Sequence, residues 1–302
     1  MRPDIRGIVR AILTLYVACI SFLPATAHAQ TDSITITRMV DGSHLRVFLM
    51  TVEAGPAIWE KFGHDALWIV DTRTGQGLSY NYGIFDMTKP GFMPNFLRGR
   101  MEYSMNPYGP ISTADEVNHY VSANRTIWLQ DLNLTPPQKA QLRDFLEWNN
   151  RPENMTYKYD YFRDNCTTRL RDALDRVLGG QLRAQLEAKP ANTTYRWQAR
   201  RLLSVYEPAY AGIELAMGHS VDEPLTQWDD AFLPGTLMEY LNTVQVQSMG
   251  GRMRPLVATT TVAYQSTRAP MPDAPPNRTI PYTAIGLLVA MMFVLLARIA
   301  VS

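Results

Sequence analysis

Apolar and polar residues alternate in short runs in the first half of the chain and recur at helical spacing in the second. His44 to Thr51 (HLRVFLMT) and His64 to Val70 (HDALWIV) are rich in β-formers and predict strands. The turn-forming DTRTGQG from Asp71 to Gly77 follows, and Leu78 to Phe85 (LSYNYGIF) predicts the returning arm of a hairpin. Ile127 to Leu132 predicts one more strand. The period then changes. Thr135 is a suitable N-cap, Pro136 and Pro137 suit a first helical turn, and Leu142, Phe145, Leu146 and Trp148 follow at helical spacing until Asn149 to Pro152. Leu170, Ala173, Leu174, Val177 and Leu178 mark a second helix, which Gly179 and Gly180 stop. Further helices are predicted at Thr193–Ser204, around Leu215 and at Pro234–Val244. Strands first and helices afterwards make the fold class α+β.

Both ends carry membrane signals. Residues 1–29 have a basic start (Arg2, Arg6, Arg10), an apolar run from Ala11 to Leu23 and the small-x-small site Ala27-His28-Ala29, which together read as a signal peptide. Thr279 to Ala297 is uncharged and mostly apolar. At 1.5 Å per residue it extends about 28 Å, close to the hydrocarbon thickness of a bilayer, and Arg298 follows it. The expected organisation is a signal peptide (1–29), an exported domain (30–267), a proline-rich linker (268–278) and a transmembrane helix (279–299) in the inner membrane. Read as an extended tether, the linker would reach roughly 40 Å. Removing residues 1–29 leaves 26 basic and 27 acidic groups, a net of about −1, so nothing recommends nucleic acid as a partner.

Processing would also remove Cys19, which lacks the preceding leucine of a lipidation site, and leave Cys166 as the only cysteine. A lone cysteine in an exported chain forms no internal disulfide. Asp164 or Asn165 is the natural N-cap of the helix that follows, which puts the thiol in its first turn. There the helix dipole and unpaired N–H groups favour a thiolate and could stabilise an oxyanion. The bland alternative is a small buried cysteine. Four mature histidines could act as base. His44 sits in a turn, His119 in a polar helix and His219 at a helix end. His64 opens a strand directly after Gly63 and is the best placed. Asp65 points to the opposite strand face. A hairpin centred between Arg73 and Thr74 sets Ala66 against Asn81, so that Asn81 shares a face with His64; a slip of one would bring Tyr80 or Tyr82 there instead. The histidines are scattered, with none at i, i+4, and a single cysteine builds no zinc site, so neither metal nor other cofactor is expected.

These residues carry a resemblance. Phe62-Gly63-His64, Tyr80 to Asp86 (YNYGIFD), Arg98-Gly99-Arg100, Asn150 to Asn154 (NRPEN) and Tyr161 to Arg169 (YFRDNCTTR) occur in one order. Gly212 to Leu215 with Gly218 and Asp222, then Phe232-Leu233-Pro234, continue it. Over about residues 44–245 the chain resembles the DUF4105 family, the periplasmic domain named for the Bacteroides lipoprotein N-acyltransferase. That family is similar to circularly permuted NlpC/P60 and lecithin:retinol acyltransferase-like thiol enzymes, in which histidine precedes cysteine. The resemblance implies a permuted papain-like core of antiparallel sheet plus helices, with Cys166 and His64 catalytic and Asn81 as the polar third member. Two departures stand out: Asp65 occupies a position where a neutral residue is expected, and a single membrane helix replaces a larger membrane region.

The implied activity is a cell-envelope acyl transfer. Cys166 would take a fatty acyl chain from membrane phospholipid as a thioester and pass it to an amine, the N-terminus of a lipoprotein being one such acceptor. The aromatic run Phe92 to Leu97 is a candidate acyl groove or an ordinary core loop. The alternatives are a peptidoglycan peptide hydrolase with the same dyad and a non-catalytic envelope binding module with a buried cysteine. Arg169 and Arg171 beside the thiol are either headgroup ligands or, on the safer reading, structural ion-pair partners.

Overall fold

The returning strand stops sooner than its composition predicts, and where it stops shapes the site. The computed structural model describes residues 41–86, 88, 90, 91, 95 and 101–301. The signal peptide, Cys19, Arg98 to Arg100 and the Phe92–Leu97 run (Asn95 apart) lie outside those residues. The hairpin is made by β1 (Leu45–Val52), β2 (His64–Asp71) and β3 (Gly77–Asn81). The predicted arm ran to Phe85, but Gly83 turns the chain away at φ +88°, and Ile84 instead bridges to Ser104. That positive φ, which glycine adopts freely, ends the strand, and an added Cβ at Gly83 would sit in van der Waals contact with Cβ of Cys166 at 3.4 Å.

The six-stranded sheet runs β10-β6-β1-β2-β3-β5, with every neighbouring pair antiparallel; β5 is Ile111–Ser112, β6 Ile127–Leu132 and β10 Val257–Tyr264. The last of these corrects the order of strands first and helices afterwards. A Thr- and Val-rich segment after the helices returns to pair with β6. Its residues are largely exposed, so it carries none of the buried run that marks β1 and β2. Two small ribbons, β4 (Glu102–Ser104) with β7 (Thr156–Lys158) and β8 (Gln245–Gln247) with β9 (Met253–Pro255), complete the strands among the described residues.

The α-helices in chain order among the residues from 101 onward are α1 (Thr113–Ser122), α2 (Pro136–Asn149), α3 (Cys166–Val177), α4 (Gln181–Glu187), α5 (Tyr195–Leu203), α6 (Glu207–Ala216), α7 (Gln227–Asp230), α8 (Pro234–Leu241) and α9 (Thr279–Val301). Strand alternation sorts the core into two faces. Val47, Leu49, Leu67, Ile69, Tyr80 and Tyr82 pack with Leu142 and Leu146 of α2 and Leu170 and Leu174 of α3. Met50, Val52, Ala66 and Trp68 face Tyr120 of α1. Leu170 and Leu174 are wholly buried, and truncating either to alanine would cost about 2–5 kcal/mol. That packing fixes α3, and with it Cys166, against the sheet.

Residues 268–278 form a strap against the domain and not the free tether their composition suggested. Arg268 Nη1 donates to the Ala54 carbonyl (3.1 Å), Met271 packs beside Tyr195, Leu202 and Phe232, and Pro272 O accepts from Arg201 Nη1 (3.1 Å). Proline deletes an amide donor but keeps its carbonyl, and Arg201 takes up that of Pro272. Arg278 pairs with Glu207, and its Nη2 donates to Ser204 O (2.9 Å). From Thr279 to Ile299, α9 is long and apolar enough to cross a membrane.

Candidate active site

The thiol sits where a turn and a cap fix it. The Asp160 carboxylate accepts from the backbone N–H groups of Phe162 and Arg163 (both 2.9 Å), and Asp160 and Asp164 exchange backbone hydrogen bonds. Asn165 then caps α3. Its Oδ1 accepts from Thr168 N (2.9 Å), while Thr168 Oγ1 accepts from Asn165 N (2.8 Å). The same side chain donates through Nδ2 to the carbonyls of Tyr161 (3.0 Å) and Phe232 (2.9 Å). Cys166 is the first helical residue. Its N–H and that of Thr167 have no intrahelical acceptor, so the helix start offers donors and positive potential at the sulfur.

His64 faces this thiol from the start of β2. Gly63 (φ +81°) permits the entry, since a Cβ there would lie 2.7 Å from Val52 O. The hairpin register is Ala66↔Asn81, as the turn predicted, and His64 Nε2–H donates to Asn81 Oδ1 at 2.7 Å. That bond fixes the tautomer and leaves Nδ1 for the thiol. Asn81 is itself held: its Nδ2 donates to Ser79 Oγ (3.1 Å), and its backbone pairs with Asn106, whose Nδ2 reaches Ser79 O (3.1 Å).

The electrostatics favour a thiolate–imidazolium pair. Burial pushes the Cys166 pKa up and Asp65 adds to that. The hydrogen bond and charge of His64 outweigh both, and the thiol lies below its ordinary value. Burial pulls His64 down, but its bond to Cys166, the charge of Cys166, the bond to Asn81 and the charge of Glu116 lift it to about 9. At neutral pH the proton therefore resides on the ring.

Asp65 lies on the opposite strand face, as expected, and is completely buried. Thr51, its cross-strand partner, donates to Asp65 Oδ1 at 2.7 Å. Burial raises this carboxyl to about 7; Thr51, His64 and Thr167 oppose the rise only in part.

The other histidines are not brought here. His44 lies at the far end of the β1–β2 ladder, 4.0 Å from Asp71; His119 stacks edge-on against Tyr120 with an exposed side chain, and His219 is exposed beside Asp222. Arg169 and Arg171 are engaged structurally. Arg169 clamps Asp164 through two bonds (2.6 and 2.8 Å) and lies 3.6 Å above the Tyr157 ring. Arg171 donates to Trp228 O (2.6 Å) and stacks on that indole.

Sequence reasoning missed the tyrosines. Tyr103, Tyr157, Tyr159 and Tyr161 all lie within electrostatic reach of the thiol, and burial raises the pKa of each. Tyr103 and Tyr159 stack with ring centres 4.0 Å apart, and Phe85 lies 5.0 Å from Tyr103. The hydroxyls of Tyr157 and Tyr161 are buried without a hydrogen-bond partner among the described residues. The signal was present in TYKYDYF, where tyrosines recur at every second position before the cysteine. Asn106 and Ser79, which hold Asn81, gave no such signal. Among the described residues no cluster of three or more His, Cys, Asp or Glu could hold a metal ion.

A family model described as the Lnb N-terminal periplasmic domain matches residues 32–201, which include His64, Asn81 and Cys166. No curated protein and no solved structure matches the chain. The matched segment is more than half of the 302 residues and carries β1 to β3, the thiol helix and the strands between them. The chain therefore belongs to the family of the Lnb N-terminal periplasmic domain.

Proposed function

We propose that this protein is a thiol acyltransferase of the cell envelope, related to the DUF4105 and permuted NlpC/P60-like enzymes, with Cys166 as nucleophile, His64 as base and acid, and Asn81 orienting the ring. The observation that carries the reading is the triad itself: a thiol at a helix start, an imidazole within reach of it, and an amide oxygen 2.7 Å from the imidazole's other nitrogen. The aromatic wall of Phe85, Tyr103 and Tyr159 favours an acyl chain over a polar peptide beside the sulfur. The apolar helix α9 supports lipid as the donor, with the anchor in the inner membrane and a lipoprotein N-terminus as the acceptor.

In this mechanism the Cys166 thiolate, its proton already held on His64, attacks the phospholipid ester carbonyl. The oxyanion is met by the N–H groups at the start of α3. Collapse of the intermediate forms the thioester and breaks the ester C–O bond, and the leaving alkoxide takes the proton from His64. An acceptor amine then attacks the thioester. His64 accepts its proton, the C–S bond breaks, and the thiol is restored.

Intact-protein mass spectrometry of the full chain incubated with phospholipid, beside Cys166→Ala, tests the reading. The expected result is a fatty-acyl increment on the unmodified chain that hydroxylamine removes and the alanine variant lacks. A reactive thiol that never acquires the increment would overturn acyl transfer and favour peptide hydrolysis.

A further inference from the structure

The base of α9 is fastened to α6. Tyr282 Oη donates to Glu207 Oε1 (2.7 Å), the Tyr282 ring lies 6.0 Å from that of Tyr210, and Arg278 stacks over Tyr210 at 4.9 Å while pairing with Glu207. Wherever Thr279 enters the hydrocarbon, α6 is at the same level. Its outward positions Pro208, Gly212, Leu215 and Ala216 recur at i, i+4, i+7 and i+8, one stripe of a helix, and all are exposed and uncharged. Leu215 is 90% exposed, and the apolar Val205 and Tyr206 stand exposed immediately before the helix. A helix bordering water should be polar on this side.

The charges of α6 are turned to other work. Glu207 is taken by Arg278 and Tyr282, and Glu214 by Arg196 (3.4 Å) and Arg200. No carboxylate of α6 is left free to repel anionic headgroups.

We propose that α6 is an interfacial helix: its outer stripe lies in the headgroup–acyl boundary of the bilayer that holds α9, and its other face holds the domain. This rests on the reading of α9 as a membrane anchor. Continuity between α6 and the base of the anchor selects lipid as the occupant of the stripe. The strap extends the consequence to the site, because Met271 packs in the cluster that contains Phe62 and Tyr161, residues just ahead of His64 and Cys166. The thiol is thereby held at a fixed height above the lipid.

Nitroxide labelling of the full chain, with Cys19 and Cys166 replaced by serine, tests this in vesicles of phosphatidylethanolamine and phosphatidylglycerol. Labels on Leu215→Cys, on Val289→Cys within α9, and on Thr74→Cys in the polar β2–β3 turn are compared by collision with oxygen and with a water-soluble nickel chelate. The expected oxygen-to-nickel ratio is highest at 289 and several-fold higher at 215 than at 74. A ratio at 215 equal to that at 74, with 289 immersed, overturns the interfacial role of α6 alone. A water-exposed label at 289 overturns the anchor and this inference with it.

Discussion

Strand β2 brings a histidine near an aspartate at each of its ends, and the two ends behave in opposite ways. At one end His44 lies 4.0 Å from Asp71, their side chains 13% and 25% exposed, and hydrogen bonds from Arg73 hold the Asp71 carboxyl well below the ordinary range. At the other end Asp65 is sealed among Thr51 and the core and is raised to about 7, while His64 on the reverse face is raised to about 9 by the thiol. The residue types are the same, although His44 lies just ahead of β1; the depth of the carboxyl and the partners differ. The proposed chemistry belongs to the end where the carboxyl is sealed from water and a helix start supplies the counter-charge.

Three substitutions would break or sharpen this contrast. The largest effect is expected from His64→Ala. On the proposed function, losing the base should lower acyl transfer by about 10²–10⁴-fold. It should also raise the thiol pKa above its ordinary value, because burial and Asp65 then act unopposed by the ring. Iodoacetamide alkylation rates followed against pH measure that rise, and an unchanged profile would separate His64 from the thiol.

Asp65→Asn comes next. A carboxyl raised from 3.8 to about 7 keeps its proton in the folded state after the unfolded chain has lost it, so stability falls as pH rises between those values, by up to about 4 kcal/mol. Asparagine should abolish that slope and stabilise the chain at neutral pH. His64 acts in a separate window: its contribution is present below 6.5 and lost as pH climbs toward about 9. Thermal melts of the detergent-solubilised chain across pH should resolve the two, and parallel curves for wild type and Asp65→Asn would count against the dry carboxyl.

The smallest effect is expected at the Asp71 end. His44→Ala should leave thiol reactivity unchanged and cost about 1 kcal/mol of stability, the ordinary effect of a partly covered side chain. A loss of thiol reactivity there, read by the same alkylation assay, would mean the two ends communicate.

Much of the site was legible because it is local. A turn centred between Arg73 and Thr74 fixes the Ala66↔Asn81 register, and Asp-Asn before Cys166 predicts a capped helix start. What was not legible depends on distant partners. The alternation of the strand turns Asp65 away from His64 but does not disclose that Thr51 and Thr167 will close over it. The strand past Asn81 reads as continuous because composition does not reveal that Gly83 takes positive φ. The last strand hides because its burial pattern is nearly uniform, and the strap hides because proline-rich sequence does not disclose the arginines that will hold it.

The Asn165 side chain has a consequence for assembly. One of its two amide bonds ends on Phe232, 67 residues further along and beyond the family match at 201. During synthesis, strands β1 to β3 and the thiol helix are complete before residue 232 exists. The cap that positions Cys166 is therefore finished by a part of the chain made later. A chain stopped at the family boundary would contain every member of the proposed triad and still lack the clasp that holds the thiol in place.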